Sequence, residues 1–269
     1  MPKAKVKDIN LYFEVHGSGY PLFLIRGLSS NADHWYCQVP VFSSHYSVVV
    51  FDNRGIARSD IPDLPFTISM MADDTVGLMD FLGIPRAHIL GISMGGMIAQ
   101  EIALKYPQRV NGLILACTNC GGDHAVQPAP DIVKDFSEAR FTGTQEAARR
   151  ALRCLFSDRT IQQAPGVVQR YEEVSKRFPP AGQVLIHQFK AIQGHDTWRE
   201  LVRIQNPTLV LAGNEDVLVP PENSRILAER IPNARLQVIE GGGHQFLIEQ
   251  PDAFNRDVLE FLRALPEES

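Results

Sequence analysis

The apolar residues of this chain fall into short runs broken by glycine-rich turns, and these runs alternate with stretches of helical period. Leu11–Val15 and Pro21–Ile25 read as strands, and Gly17-Ser18-Gly19 between them suits a hairpin with a loop. Ser47–Phe51 is almost wholly apolar, as expected of a strand covered by helices on both faces. A helix over Met70–Leu82 follows, with Asp73 and Asp74 in its early turns and Gly83 closing it. Next come strand Ala87–Leu90, helix Met94–Ala103 and strand Leu113–Ala116. Thr208–Gly213 and Arg235–Ile239 are further strands, and a last helix from Pro251 places Phe254, Val258, Phe261, Leu262 and Leu265 on one face. No internal repeat and no low-complexity stretch interrupts this order.

Between about Gly121 and Arg203 the alternation stops. Ala125–Pro130 is a linker by composition, and helical stretches follow around Ile132–Ala139, Thr144–Phe156 and Gly182–Ile192. An insertion of this length has to pack on the sheet edge or hang free. Its apolar residues, among them Val133, Phe136, Leu152, Leu155 and Phe189, argue for packing and read as core of the insertion ahead of substrate contacts. The expected division is a core of residues 1–120 and 204–269 with a helical segment over 121–203.

The candidate chemistry sits where strands end. Gly91-Ile92-Ser93-Met94-Gly95 joins a strand to a helix, so Ser93 is forced onto a strained turn with its hydroxyl clear of the sheet. A bare Gly-x-Ser-x-Gly arises by chance in about one chain in ten of this size, so the strand-turn-helix setting carries the signal. Thr208–Gly213 ends in Asn214-Glu215-Asp216, and Arg235–Ile239 ends in Glu240-Gly241-Gly242-Gly243-His244. Ser93, Asp216 and His244 therefore each follow the carboxyl end of a separate strand, and in a parallel sheet those ends share the edge where ligands bind. A serine hydroxyl needs a neutral imidazole to take its proton, and the imidazole needs a carboxylate to fix its tautomer. The Met94 amide, first of its helix, carries partial positive charge suited to an oxyanion.

On these residues the sequence resembles the α/β-hydrolase family along nearly its whole length. The matching stretches are Gly91–Gly96, Gly213–Asp216, Gly243-His244, the loop Ile25-Arg26-Gly27-Leu28 and the segment Phe51–Ser59. The resemblance implies an α/β fold: a mostly parallel eight-stranded sheet, helices on both faces, and the insertion as a cap over the carboxyl edge. It implies Ser93, Asp216 and His244 as a catalytic triad, with Leu28 joining Met94 in the oxyanion hole. Within the family the chain looks most like small esterases and enol-lactone hydrolases. It departs from the pattern at Arg26, where many members have histidine, and at Ala57, where glycine is usual.

Other residues have plainer readings. Arg26 is expected to hold its loop by pairing with Asp33 or Asp52, with a substrate carboxylate as the alternative partner. His34, His124 and His195 lack the strand-end context of His244 and are expected to be structural or at the surface. Glu215 and Asp123 are competing acids, and the spacing from Gly213 favours Asp216. Cys117-Thr118-Asn119-Cys120 lacks the second ligand pair of a zinc site, so packing is expected, with no metal, cofactor or disulfide framework.

A chain of 269 residues with 44% hydrophobic content can bury the core of one α/β domain with an insertion. A net charge of -5 with scattered Lys and Arg argues against nucleic acid or an anionic membrane as partner. No apolar run has transmembrane length and no signal-type segment opens the chain, so a cytoplasmic protein is expected, with a homodimer left open. Three function classes follow: a serine hydrolase of carboxylic esters or lactones, a cofactor-free haloperoxidase or perhydrolase using the same residues, and a slow-turnover ligand-binding protein. Dehalogenation is disfavoured because it uses an aspartate at the position of Ser93.

Overall fold

The computed structural model describes residues 2–142 and 144–267, so residues 1, 143, 268 and 269 of the expected domain ranges lie outside it. The first half runs β1 (Lys3–Val6), β2 (Ile9–His16), β3 (Pro21–Ile25), α1 (Val39–Phe42), β4 (Ser47–Phe51) and α2 (Ile68–Phe81). It continues through β5 (Ala87–Ile92), α3 (Met94–Lys105) and β6 (Val110–Ala116). Then come α4 (Pro130–Thr142), α5 (Gln145–Leu155), α6 (Asp158–Gln163), α7 (Pro165–Arg177) and α8 (Gly182–Gln193). The chain closes with β7 (Thr208–Gly213), α9 (Glu222–Arg230), β8 (Ala234–Ile239), α10 (Phe246–Glu249) and α11 (Pro251–Arg263).

The strands form one eight-stranded sheet in the order β1-β2-β4-β3-β5-β6-β7-β8. β1 with β2 and β2 with β4 are antiparallel, and every other pairing is parallel. The hairpin expected between β2 and β3 does not form. β4 lies between them, with Phe13 opposite Phe51 on one side and Leu24 opposite Val50 on the other. The reason is coverage: an all-apolar strand such as β4 is most stable in the sheet interior, leaving the more polar β2 towards the edge. The hairpin is instead β1–β2, turning at Lys7 and Asp8, and the polar β1 gave no strand signal in the sequence.

Alternate residues of the central strands feed two cores. Phe23, Ile25, Val49 and Phe51 pack on one face with Met71 and Leu78 of α2 and Ile98 and Ile102 of α3. Leu22, Leu24, Val48 and Val50 pack on the other with Phe42 of α1 and Phe254, Val258 and Phe261 of α11. Two-sided burial explains the continuous apolar runs of these strands.

Strand order also opens the site. β3 lies between β4 and β5, so the chain after β3 and the chain after β5 leave neighbouring strands towards opposite faces. A crevice forms where those carboxyl ends diverge. The insertion between β6 and β7 holds five helices among the described residues, two more than the sequence suggested. The additional helices are α6 and α7. In α7 only Val168, Tyr171 and Val174 are buried amid charged neighbours, a stripe too narrow to stand out in the pattern. No helix among the described residues is long and apolar enough to cross a membrane.

Candidate active site

Ser93 joins β5 to α3 with φ 53° and ψ -125°, a conformation costing about 1–3 kcal/mol that only surrounding structure can hold. Its amide donates to the Ala116 carbonyl at 2.9 Å, and its carbonyl accepts from the Gly96 amide and the Thr118 hydroxyl, each at 2.8 Å. A Cβ on Gly91 would strike the Gly95 carbonyl, and one on Gly95 would strike the Ile25 carbonyl. These two glycines let β5, α3 and β3 crowd together beneath Ser93.

The loop after β3 passes directly over the serine. A Cβ at Gly27 would lie 2.9 Å from the Ser93 Cβ, so only glycine brings the loop this near. Leu28 follows, then Ser29 at φ 59°, whose amide donates to Gln188 Oε1 of α8 at 2.9 Å. The Met94 amide opens α3, where no intrahelical carbonyl can satisfy it. Leu28, Met94 and Ser93 share the wall of one cavity, as an oxyanion site requires.

The segment after β4 anchors this loop from behind. Buried Asp52 accepts the Ala32 amide at 2.8 Å and the Arg58 guanidinium at 2.7 and 3.0 Å, and Asn53 donates to the Arg26 carbonyl at 3.0 Å. Arg58 also pairs with Asp33 at 2.8 Å and lies over the Tyr12 ring. The pairing expected of Arg26 is therefore made by Arg58. Asp52 is taken by Arg58 and backbone amides and Asp33 by Arg58 and, at 3.7 Å, Arg177, and neither pairs with Arg26.

Asp216 and His244 meet at the other side of the crevice. His244 Nδ1 and Asp216 Oδ2 are 2.8 Å apart, and both side chains are buried. Asp216 Oδ1 accepts the Leu218 and Val219 amides at 2.9 and 2.8 Å, which aims the second oxygen at the ring. With Nδ1 donating to the carboxylate, Nε2 keeps a lone pair. Ser93 and His244 line the same narrow gap, about 20 Å³, with Arg26 and Gln245. No hydrogen bond joins Ser93 Oγ to His244 among the described residues, and such contacts commonly tighten when substrate binds.

The remaining candidates separate by location. Glu215 and Asp123 are exposed, so Asp216 is the acid beside His244. His124 is exposed and stacks on Trp198. His34 is buried with Nε2 3.0 Å from Ser175 Oγ, and burial, then the Arg26 charge, pulls its pKa down to about 3. Buried His195 is likewise pulled down, to about 4. Cys117 Sγ, an Asp216 oxygen and a His244 nitrogen gather within 4.8 Å. Burial, then the Asp216 charge, pushes the Cys117 thiol well above its ordinary pKa.

A cavity of about 240 Å³ opens from Ser93, lined by Met94, Met97 and Leu218 of the core and Val133, Phe136 and Phe189 of the insertion. Phe136 and Phe189 pack in the core, as expected of them, and with Val133 they also wall this cavity. A helix pattern shows which face is apolar but not what that face meets.

A family model described as alpha/beta hydrolase fold matches residues 20–251. The chain belongs to the α/β hydrolase fold family. A protein of Azorhizobium caulinodans named as a carbamate hydrolase, RutD, is 31% identical over 97% of this chain and 98% of its own length. The 3-oxoadipate enol-lactonase 2 of Acinetobacter baylyi is 30% identical over 94% of this chain and 92% of its own. A solved thermophilic esterase from Thermogutta terrifontis superposes with a TM-score of 0.85 at 29% identity, covering 98% of this chain and 99% of the esterase. In this α/β hydrolase the sequence reading missed Gln188 and Thr118, which hold the loop after β3 and the serine turn. Neither sits in a recognisable motif, because each acts across a long sequence separation.

Proposed function

We propose that this α/β hydrolase cleaves a carboxylic ester or lactone through an acyl-enzyme on Ser93. The observation that carries the reading is the buried Asp216–His244 hydrogen bond, whose imidazole shares a gap with a serine held on a strained strand-helix turn. His244 Nε2 takes the Ser93 proton as Oγ attacks the carbonyl carbon, and the Leu28 and Met94 amides receive the developing oxyanion. His244 then gives that proton to the departing alkoxide. Water, deprotonated by the same imidazole, hydrolyses the acyl-enzyme. Residues 121–203 act as a cap, since Val133, Phe136 and Phe189 face the substrate cavity.

A fluorophosphonate probe tests the nucleophile, with mass spectrometry locating the adduct. One label on the peptide carrying Ser93, lost in Ser93→Ala, is expected. Labelling that survives this substitution overturns the assignment. A parallel screen of p-nitrophenyl esters, lactones and an aryl carbamate tests the bond cleaved. Turnover of the carbamate alone would move the reading from esters to carbamates while leaving Ser93 in place.

A further inference from the structure

Arg26 is 1% exposed, and its guanidinium finds little in return for leaving water. Nη2 donates to Gln245 Oε1 at a long 3.3 Å, Nε and Nη1 have no partner among the described residues, and the planar group lies 4.9 Å from the Trp35 ring centroid. Among the described residues no carboxylate pairs with it, because Asp33 and Asp52 are taken by Arg58. Among the groups that feel its charge most are Tyr36, Tyr171, Cys37, Cys117 and His34, and none of these is a carboxylate. Burial lowers its pKa only to about 10, so the side chain stays cationic. A buried, uncompensated cation is costly, and proteins normally pair or remove one.

Its place explains why it remains. Arg26 lines the gap of about 20 Å³ that also touches Ser93 and His244, and this gap shares Leu28, Ser93 and Phe136 with the larger cavity. We propose that Arg26 is a binding residue for a carboxylate carried on a short arm of the substrate, next to the scissile carbonyl. The gap is small, about 20 Å³, so the acid arm that reaches it is short, as in a malonyl or succinyl half-ester or a lactone with an equally short acid side chain. The apolar remainder of the substrate lies in the 240 Å³ cavity among Met97, Phe136 and Phe189. The carboxylate supplies the missing counter-charge, and Nε and Nη1 supply charge-assisted donors to it. This inference rests on the ester and lactone reading above and narrows it to anionic substrates.

The matched pair benzyl hydrogen succinate and benzyl butyrate tests it, since the two differ in a carboxylate against a methyl. Wild type is expected to favour the succinate ester in kcat/KM. Arg26→Met is expected to lower that value about 10- to 150-fold further for the succinate ester than for the butyrate, mainly through KM. Arg26→Lys should keep part of the preference, because the charge stays while the planar fork is lost. Equal rates for the two esters in wild type, or equal losses in Arg26→Met, overturn the proposal and return Arg26 to a structural role. Binding gives a readout independent of turnover. Succinate, but not succinamide, should raise the melting temperature of Ser93→Ala by about 3 °C at tenfold its dissociation constant, and not that of Ser93→Ala/Arg26→Met. A succinate shift in a protein whose Ser93 takes no fluorophosphonate would sink the hydrolase reading and keep the anion site. Labelled Ser93 with no succinate shift would do the reverse.

Discussion

Gln188 Oε1 accepts the Ser29 amide at 2.9 Å, so a helix of the insertion holds the loop that carries Leu28. Ser29 has φ 59°, outside the ordinary range of a serine, and the bond fixes that conformation from across the cleft. The insertion therefore shapes both the substrate cavity and one proposed oxyanion donor.

Replacing Gln188 with Met leaves the Ser29 amide unsatisfied and frees the loop. Losing one buried acceptor costs about 1–3 kcal/mol, which corresponds to about 5- to 150-fold in kcat if the loss falls on the transition state. Steady-state kinetics on any neutral ester that the wild type turns over should show the drop in kcat with KM little changed. A rise in KM alone would mean that Gln188 shapes the pocket without positioning Leu28.

At Gly27 the constraint is steric. A methyl group there would sit 2.9 Å from the Ser93 Cβ and 3.2 Å from the Ile92 carbonyl oxygen, both rigid neighbours. Gly27→Ala should push the loop away from the serine and cut both turnover and the rate of fluorophosphonate labelling by about 10²–10³, the typical cost of losing an oxyanion donor. Labelling at the wild-type rate would show that the loop has room to give.

Asp216 and Glu215 offer a paired test of the acid. Asp216→Asn should reduce kcat by about 10⁴, because the imidazole would be held in the wrong tautomer. Exposed Glu215 has its amide on the Gly242 carbonyl and its side chain away from His244, so Glu215→Gln should stay within about threefold of wild type. A crippled Glu215→Gln beside an active Asp216→Asn would reverse the assignment.

His88 sets an acid limit on stability. Its ring is fully buried between Tyr20 and Tyr46, and neither nitrogen has a partner among the described residues. Burial, then Arg86, pulls its pKa to about 4, below the unfolded value of about 6.5. The unfolded chain therefore takes up the proton first. Stability from neutral His88 is fully present above about pH 6.5 and is lost as pH falls towards 4, amounting to about 3 kcal/mol over that window. His34 and His195 act in the same direction. Urea unfolding followed from pH 7 to 4 should show this fall, and His88→Leu should remove about one proton from its slope. An unchanged slope in His88→Leu would assign the acid sensitivity to other groups.

The sequence by itself determined that Ser93, Asp216 and His244 follow strand ends, because that placement is local. A glycine on each side of Ser93, the span from Gly213 to Asp216 and the Gly243-His244 step are each written within a few residues of a strand end. Two-sided burial likewise left its mark on β3, β4 and β7 as the apolar runs Leu22–Ile25, Val48–Phe51 and Leu209–Ala212. What the tertiary structure decided depends on partners far apart along the chain. Whether β3 pairs with β2 or lets β4 between them turns on which strand gains most from the interior, a comparison no local pattern contains. The same holds for the arginines: Arg26 lies near Asp33 in sequence and Arg58 near Asp52, yet the fold gives both carboxylates to Arg58. Arg26 is left buried and unpaired beside Ser93, because a salt bridge is set by side-chain geometry in space and not by proximity along the chain.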